Sequence, residues 1–142
     1  MSRRLARDSA YKLVFEYLFS GGEVPSVSYD LLQVDTEFSQ ADQDYIKEVY
    51  EGVKSHYDEL IAIISANTTN FNSIRIFKAD LAALLVATYE MKYVHDIPYS
   101  VSISEIIDLV KCYSTENSSS FVNGVLAGVF KQLEGVNKND NN

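Results

Sequence analysis

One segment of the chain is apolar on almost every face that a helix would present. Seven apolar residues, from Leu81 to Ala87, follow one another without interruption inside a helical pattern that extends from Ile74 to Tyr93. A membrane-spanning helix needs about 20 such residues, so this run is too short to cross a bilayer. A helix without a polar face must be surrounded by other elements. The sequence therefore predicts a helix at the centre of a bundle.

The other segments repeat apolar residues every three or four positions, which is the period of an amphipathic helix. No strand alternation competes with this pattern, so the sequence predicts an all-α fold of about six to seven helices. The further helices are predicted from Arg3 to about Gly21, over Val27–Gln33, from Ser39 to Ile64 with a break near Gly52 or His56, from Ile103 to about Tyr113, and from about Phe121 to Gly135.

Local signals refine these boundaries. Ser39 is placed to cap a helix with its hydroxyl. Ser102 and Glu105 have the spacing of a capping box, which predicts that the following helix begins directly after Ser102. Gly124 and Gly128 share a face of the last helix, and because they lack side chains they indicate a close approach by another backbone.

The length of 142 residues fits one domain, which we assign to residues 1–142. Residues 67–73 are mostly short polar side chains that compete for backbone hydrogen bonds, so they predict a joint. We expect an N-terminal helical subdomain over about 1–67 and a C-terminal one over about 73–135. The polar tail, 136–142, is expected to be disordered.

Three of the four arginines, Arg3, Arg4 and Arg7, lie in the first seven residues of a chain whose formal net charge is −8. Their spacing allows all three guanidinium groups to face one side of a helix. Cations at a helix N-terminus cost a few tenths to about 1 kcal/mol, whereas a phosphate there would meet free amides and forked donors. The cluster therefore indicates an anion site or, equally, a solvated basic turn that pairs with the acidic body.

The acidic remainder of the chain argues against broad binding to duplex nucleic acid, because most of the surface should repel phosphates. A short single strand on a local patch fits better. Single-strand recognition also uses aromatic stacking. Most of the ten tyrosines and seven phenylalanines have core spacing. Phe121 is more ambiguous, since it begins a helix after a serine-rich loop.

The sequence predicts no enzyme, no catalytic residue, no cofactor and no metal site. His56 and His95 are isolated, and neither a glycine-rich phosphate loop nor a metal-ligand spacing is present. The single cysteine, Cys112, and the absence of a recognisable signal peptide indicate a cytoplasmic protein.

Five blocks of residues, spread over nearly the whole chain, resemble the NusB family of transcription antitermination factors. They are Arg3-Arg4-x-Ala6-Arg7-Asp8-x-Ala10, Ala87-x-Tyr89-Glu90-Met91, Ile97-Pro98-x-x-Val101-x-Ile103-x-Glu105, Lys111, and Phe121-Val122-Asn123-Gly124-Val125-Leu126. The resemblance implies two packed helical bundles. It also implies binding to single-stranded boxA RNA of nascent ribosomal RNA transcripts, together with the ribosomal protein NusE, and action on the RNA polymerase elongation complex.

Site residues follow from the resemblance by their place in these motifs. It implies that Arg3, Arg4 and Arg7 contact phosphates and that Phe121 and Asn123 lie near the bases. It also implies a NusE-binding role for two residues, Phe15 and Glu90.

The chain departs from the family pattern at three positions. Leu85 stands where an arginine is common, Ser104 where asparagine is usual, and Ala127 where aspartate is common. Each departure removes a polar group near an expected contact surface. A protein-binding helical adaptor without RNA binding is the alternative function, and the oligomeric state, monomer or homodimer, stays open.

Overall fold

A computed structural model describes residues 3–19, 38–69 and 76–140, with no account of the side chains of 136–140. Six helices and no strands occur in these ranges. The helices are α1 (Arg3–Phe19), α2 (Gln40–Ser55), α3 (Tyr57–Ala66), α4 (Lys78–Tyr93), α5 (Tyr99–Tyr113) and α6 (Glu116–Asp140). The all-α prediction is confirmed, and the short helix expected over Val27–Gln33 lies outside the described residues.

Helix α4 is the centre of the bundle. Every residue from Asp80 to Met91 is buried, and each of the other five described helices packs against α4. The buried apolar side chains of all six helices form one continuous cluster. The apolar run therefore occupies the central position that its lack of a polar face predicts, while the division into two subdomains near residue 70 stays a prediction. None of the described helices has the length and apolarity that crossing a bilayer requires.

The start of α2 and the break before α3 agree with the sequence. The Ser39 hydroxyl accepts a hydrogen bond from the backbone N–H of Asp42 at 3.2 Å, as an N-cap does. His56 ends α2 with a φ of −110°, outside the helical range, and α3 begins at the next residue. The long helical pattern is therefore two helices, divided at His56.

The predicted capping box is wrong. Helix α5 begins at Tyr99, and the backbone amides of its first turn bind the carbonyl of Pro98. Proline suits this place because its ring fixes φ near the helical value. The two residues of the supposed box lie inside α5, where Ser102 donates to a carboxylate of α4 and Glu105 accepts from α1.

The last helix begins earlier than predicted. Helix α6 starts at Glu116, and the Thr115 hydroxyl accepts from the backbone N–H of Ser118. The hydroxyls of Ser114 and Ser118 both donate to the buried carboxylate of Asp80, at 2.8 and 2.9 Å. These bonds hold the serine-rich stretch against α4, which its composition alone did not indicate. The backbone of α6 continues to Asp140, past the point where the tail was predicted.

Two glycines give room to a neighbouring side chain. A Cβ atom on Gly52 would lie 2.2 Å from the ring of Tyr89, and one on Gly128 would lie 2.5 Å from the Asn67 side chain. A Cβ atom on Gly124 would meet nothing within 4 Å. The backbone approach predicted at these two glycines of the last helix is therefore wrong, because only Gly128 has a close neighbour and that neighbour is a side chain.

We expect opposite stability changes from two alanine substitutions. Gly52→Ala forces a methyl group into the buried Tyr89 ring, and such overpacking costs about 1–3 kcal/mol. Gly124→Ala adds a methyl group in open space and stabilises by about 0.5–1 kcal/mol, because alanine loses less entropy than glycine in a helix. Urea unfolding of both variants measures the difference. Equal effects would contradict the packing described for Gly52.

Candidate functional site

A buried ion pair joins α1 to the central helix. The Arg7 guanidinium donates from Nε to Glu90 Oε2 at 2.7 Å and from Nη2 to Glu90 Oε1 at 2.9 Å. Arg7 is 2% exposed and Glu90 is fully buried. The Tyr45 hydroxyl donates to Oε2 at 2.6 Å and the Ser102 hydroxyl to Oε1 at 3.1 Å. One carboxylate thus binds side chains from α1, α2 and α5.

The electrostatics of this network keep the proton on Tyr45 and the positive charge on Arg7. Burial and the charge of Glu90 raise the pKa of Tyr45 well above its ordinary value, so the phenol keeps the proton that it donates. Burial alone lowers the pKa of Arg7, but the hydrogen bonds to Glu90 and the neighbouring negative charge outweigh it and raise that pKa. Arg7 is therefore charged at neutral pH.

The other two arginines remain at the surface. Arg3 Nε lies 3.0 Å from Asp42 Oδ1, and its guanidinium lies 4.5 Å from the centre of the Tyr45 ring. The Arg4 side chain is 59% exposed and pairs with two carboxylates of α5, Glu105 at 2.9 Å and Asp108 at 3.0 Å. The hydrogen bond from Arg4 lowers the pKa of Glu105.

All three arginines line one depression of about 700 Å³. The rest of its wall comes from the loop between α4 and α5 and from the first turns of α5, namely Asp96, Ile97, Pro98, Val101 and Glu105. The expectation that the three guanidinium groups share one exposed side is wrong for Arg7. Its partner Glu90 draws it into the core, which leaves Arg3 and Arg4 as the exposed donors.

The predicted base-contacting residues lie on a different helix. Phe121 and Asn123 are both exposed near the start of α6, and Phe121 is 38% exposed. Within the described residues, the ion pairs of Arg3, Arg4 and Arg7 reach α2, α4 and α5 and do not include α6. The structure therefore places the predicted phosphate and base contacts on different helices, α1 and α6.

The two predicted partner-binding residues have different surroundings. Phe15 is partly buried, and its ring centre lies 4.8 Å from that of Phe19, which is 65% exposed. Glu90 has no exposed surface, so it offers no direct contact in this conformation. A NusE-binding role for Phe15 and Glu90 stays a prediction.

The three departures from the family pattern also differ in place. Ser104 and Ala127 are exposed. Leu85 is fully buried among the apolar side chains of α4, so this position does not lie at a surface. The expectation that a surface cation is missing there is wrong, because the apolar core fills the position.

The sequence did not reveal the partners of the arginines. Asp42 lies 39 positions along the chain from Arg3, and Tyr45 belongs to the same distant helix. Asp108 is one acid among 20. The spacing of Ser102 and Glu105 was a recognisable pattern in the sequence, but it suggested a bond between these two residues. Their actual partners are Glu90 and Arg4.

In the described ranges, no group of three or more His, Cys, Asp or Glu side chains is placed to hold a metal ion.

Removing Arg7 should cost far more stability than removing Arg4. Arg7→Met leaves the Glu90 carboxylate buried without its cation, which costs about 3–5 kcal/mol. Arg4→Met removes an exposed pair, and such pairs contribute little to stability. Guanidinium unfolding compares the two variants. Similar midpoints for Arg7→Met and the wild type would contradict the buried network.

The Arg4–Glu105 contact predicts a pH dependence. Because Arg4 lowers the pKa of Glu105 in the folded state, the stability from this pair is present above the pKa of the unfolded chain and is lost as pH falls through the folded value. We expect Arg4→Met to return the Glu105 pKa to its ordinary range. Carboxyl NMR titration of the wild type and the variant measures this. An unchanged Glu105 pKa would show that the contact does not persist in solution.

Comparisons with known proteins agree with this architecture. The sequence model of the NusB family matches residues 4–131. The transcription antitermination protein NusB of Finegoldia magna is 37% identical over 139 residues, covering 94% of this chain and 97% of that protein. T. maritima NusB has a similar structure, with a TM-score of 0.81 and 28% identity over 92% of each chain.

A second solved structure contains partners. It is a crystal structure of the antitermination factors NusB and NusE in complex with double-stranded RNA, with a TM-score of 0.80 and 25% identity over 92% of this chain and 96% of that one. The family match covers most of the chain, and the curated relative is similar over nearly its full length. The chain therefore belongs to the NusB family.

Proposed function

We propose that the protein is a transcription antitermination factor. It binds single-stranded boxA-type RNA of nascent ribosomal RNA transcripts together with the ribosomal protein NusE, and it acts on the RNA polymerase elongation complex. The curated relative carries the name of an antitermination protein, and a similar structure holds NusE and RNA. Work on nascent transcripts requires the compartment of RNA polymerase, so we propose a cytoplasmic location.

The observation that carries the proposal is the pair of exposed guanidinium groups at the N-terminus of α1. Arg3 and Arg4 line the depression, at the end of α1 where the helix dipole is positive and the backbone amides have no helical partner. A phosphate group would meet all three features at once. The exposed apolar side chain of Val101, 43% accessible, adds a surface for the face of a sugar or base.

Arg7 helps to position the two exposed arginines. Its bidentate bond to Glu90 fixes the first turns of α1 against the central helix, and therefore fixes where Arg3 and Arg4 stand. We propose direct phosphate contacts for Arg3 and Arg4 and a positioning role for Arg7. Phe121 and Asn123 are proposed as base contacts farther along the RNA, because both are exposed on α6.

Exposed aromatic side chains support a protein partner. Phe19 and Phe77 are 65% and 63% exposed, and Lys78 lies 5.3 Å from the centre of the Phe19 ring. Large apolar side chains at a surface are typical of protein interfaces. We propose that NusE binds near Phe15 and Phe19. A helical adaptor that binds protein without RNA would use the same surface, so RNA binding separates the two functions.

We expect a short boxA-like single strand to bind the protein with an affinity that falls as salt rises. Two phosphate contacts predict that a plot of the logarithm of the binding constant against the logarithm of the salt concentration has a slope no steeper than about −1.4. The variant R3A/R4A should bind at least about tenfold more weakly with a shallower slope. K47A/K131A is the charge-matched control, because it removes two exposed cations, from α2 and α6, and neither residue lines the depression.

Fluorescence anisotropy at several salt concentrations, with and without NusE, provides these values. A duplex of the same sequence belongs in the same series, since the solved complex contains double-stranded RNA. Equal binding by R3A/R4A and by the wild type would contradict the arginine site. No RNA binding under any condition, with NusE binding retained, would favour the adaptor function.

A further inference from the structure

The exposed arginines of the depression are already bound to carboxylates. Arg4 donates from Nε and Nη2 to the two carboxylate oxygens of Glu105, at 2.9 and 3.3 Å, and from Nη2 to Asp108 at 3.0 Å. These bonds use the edge of the guanidinium that joins Nε to Nη2, one of the edges with which arginine holds a phosphate in bidentate fashion. A phosphate must therefore displace Glu105 to gain this edge.

The local charge reinforces this competition. Arg7 is neutralised by the buried carboxylate of Glu90. Four further carboxylates pair with Arg3 or Arg4 or line the same depression. Those carboxylates are Asp42, Asp96, Glu105 and Asp108. When the ion-pair partners are counted with the lining residues, these four carboxylates outnumber the two cations of Arg3 and Arg4. An arriving polyanion is therefore repelled until an exchange of partners occurs.

The two exposed pairs differ in how readily they can exchange. The Asp42 side chain is 6% exposed, so its bond to Arg3 is shielded from solvent. Glu105 and Asp108 are 25% and 47% exposed, and their partner Arg4 is 59% exposed. Solvent-exposed ion pairs are held weakly. Exchange should therefore take place at Arg4.

We propose that Glu105 and Asp108 are specificity-determining residues of the RNA site, which compete with phosphate for Arg4 and so exclude RNAs that lack further contacts. This inference rests on the proposed RNA binding and deepens it. An RNA that also contacts the apolar lining residues of the depression, Ile97, Pro98 and Val101, or the surface of α6 gains binding free energy there. This gain offsets the loss of the bonds between Arg4 and its carboxylates. An unrelated single strand offers phosphates alone and fails to displace them.

The exchange also changes the salt dependence of binding. A phosphate that binds a free arginine releases condensed cations from the RNA. When the same phosphate displaces Glu105 and Asp108, those carboxylates attract cations from solution, which offsets part of the release. The wild-type slope should therefore be shallower than two free arginines would give.

The test compares two full-length double variants that change the net charge equally. E105Q/D108N removes the competing carboxylates, and E16Q/E134Q removes two exposed carboxylates elsewhere, on α1 and α6. The probes are the boxA-like single strand and a polyuridine strand of equal length. Circular dichroism melting shows whether both variants remain folded, and D108N alone serves if the double variant does not.

We expect E105Q/D108N to bind the boxA-like strand about fivefold to tenfold more tightly than the wild type and with a steeper salt slope. The affinity of E105Q/D108N for polyuridine should increase by a larger factor than its affinity for the boxA-like strand. The preference of this variant for the boxA-like strand should therefore be weaker than that of the wild type. E16Q/E134Q should change both affinities by much less and leave the preference unchanged.

The outcomes separate the inference from the proposed function. If the wild type binds RNA through Arg3 and Arg4 but E105Q/D108N behaves like E16Q/E134Q, the competition is overturned and the proposed function stands. If E105Q/D108N binds RNA and the wild type does not, the result would support the proposal that Glu105 and Asp108 compete with phosphate for Arg4. If neither protein binds RNA even with NusE present, both the proposed function and this inference are overturned.

Discussion

A carboxylate at the centre of a helical bundle is stable only if donors around it replace the water that it loses. Glu90 receives four hydrogen bonds, from Arg7, Tyr45 and Ser102, and these residues come from three different helices. Loss of Arg7 would leave the buried charge unpaired, and loss of Tyr45 or Ser102 would leave a buried oxygen short of a donor. The carboxylate therefore ties α1, α2 and α5 to α4. The apolar core supplies the main driving force for folding, whereas Glu90 selects the arrangement of the helices.

The three arginines at the start of α1 present an electrostatic problem that the fold resolves. Cations at a helix N-terminus repel one another and oppose the helix dipole. Each arginine instead finds a carboxylate on another helix, Asp42 on α2, Glu90 on α4, or Glu105 and Asp108 on α5. The basic cluster therefore pairs with the acidic body, as one of the two explanations from the sequence expects, and the phosphate site stays a proposal.

Sequence patterns predicted what depends on neighbours along the chain and missed what depends on distant partners. The central position of α4, the cap at Ser39 and the break at His56 follow from local periodicity and local hydrogen bonds. The start of α5 was misplaced because Ser102 and Glu105 fit a capping box, although their partners come from other helices. The inward turn of Arg7 could not be predicted either, since helical spacing gives it the same side as Arg3 without showing that a buried acid faces it.

Arg4 and Arg7 belong to the same short motif, but their different burial gives them different roles. Arg4 and Arg7 are three residues apart, yet one is exposed to solvent and the other is enclosed in the core. In a living cell, loss of Arg7 would act through the amount of folded protein, because unfolded chains are removed by proteases. Growth at lower temperature or extra gene copies could compensate for that loss. Neither would restore a protein without Arg4, which we expect to fold normally and to lack the proposed phosphate contact.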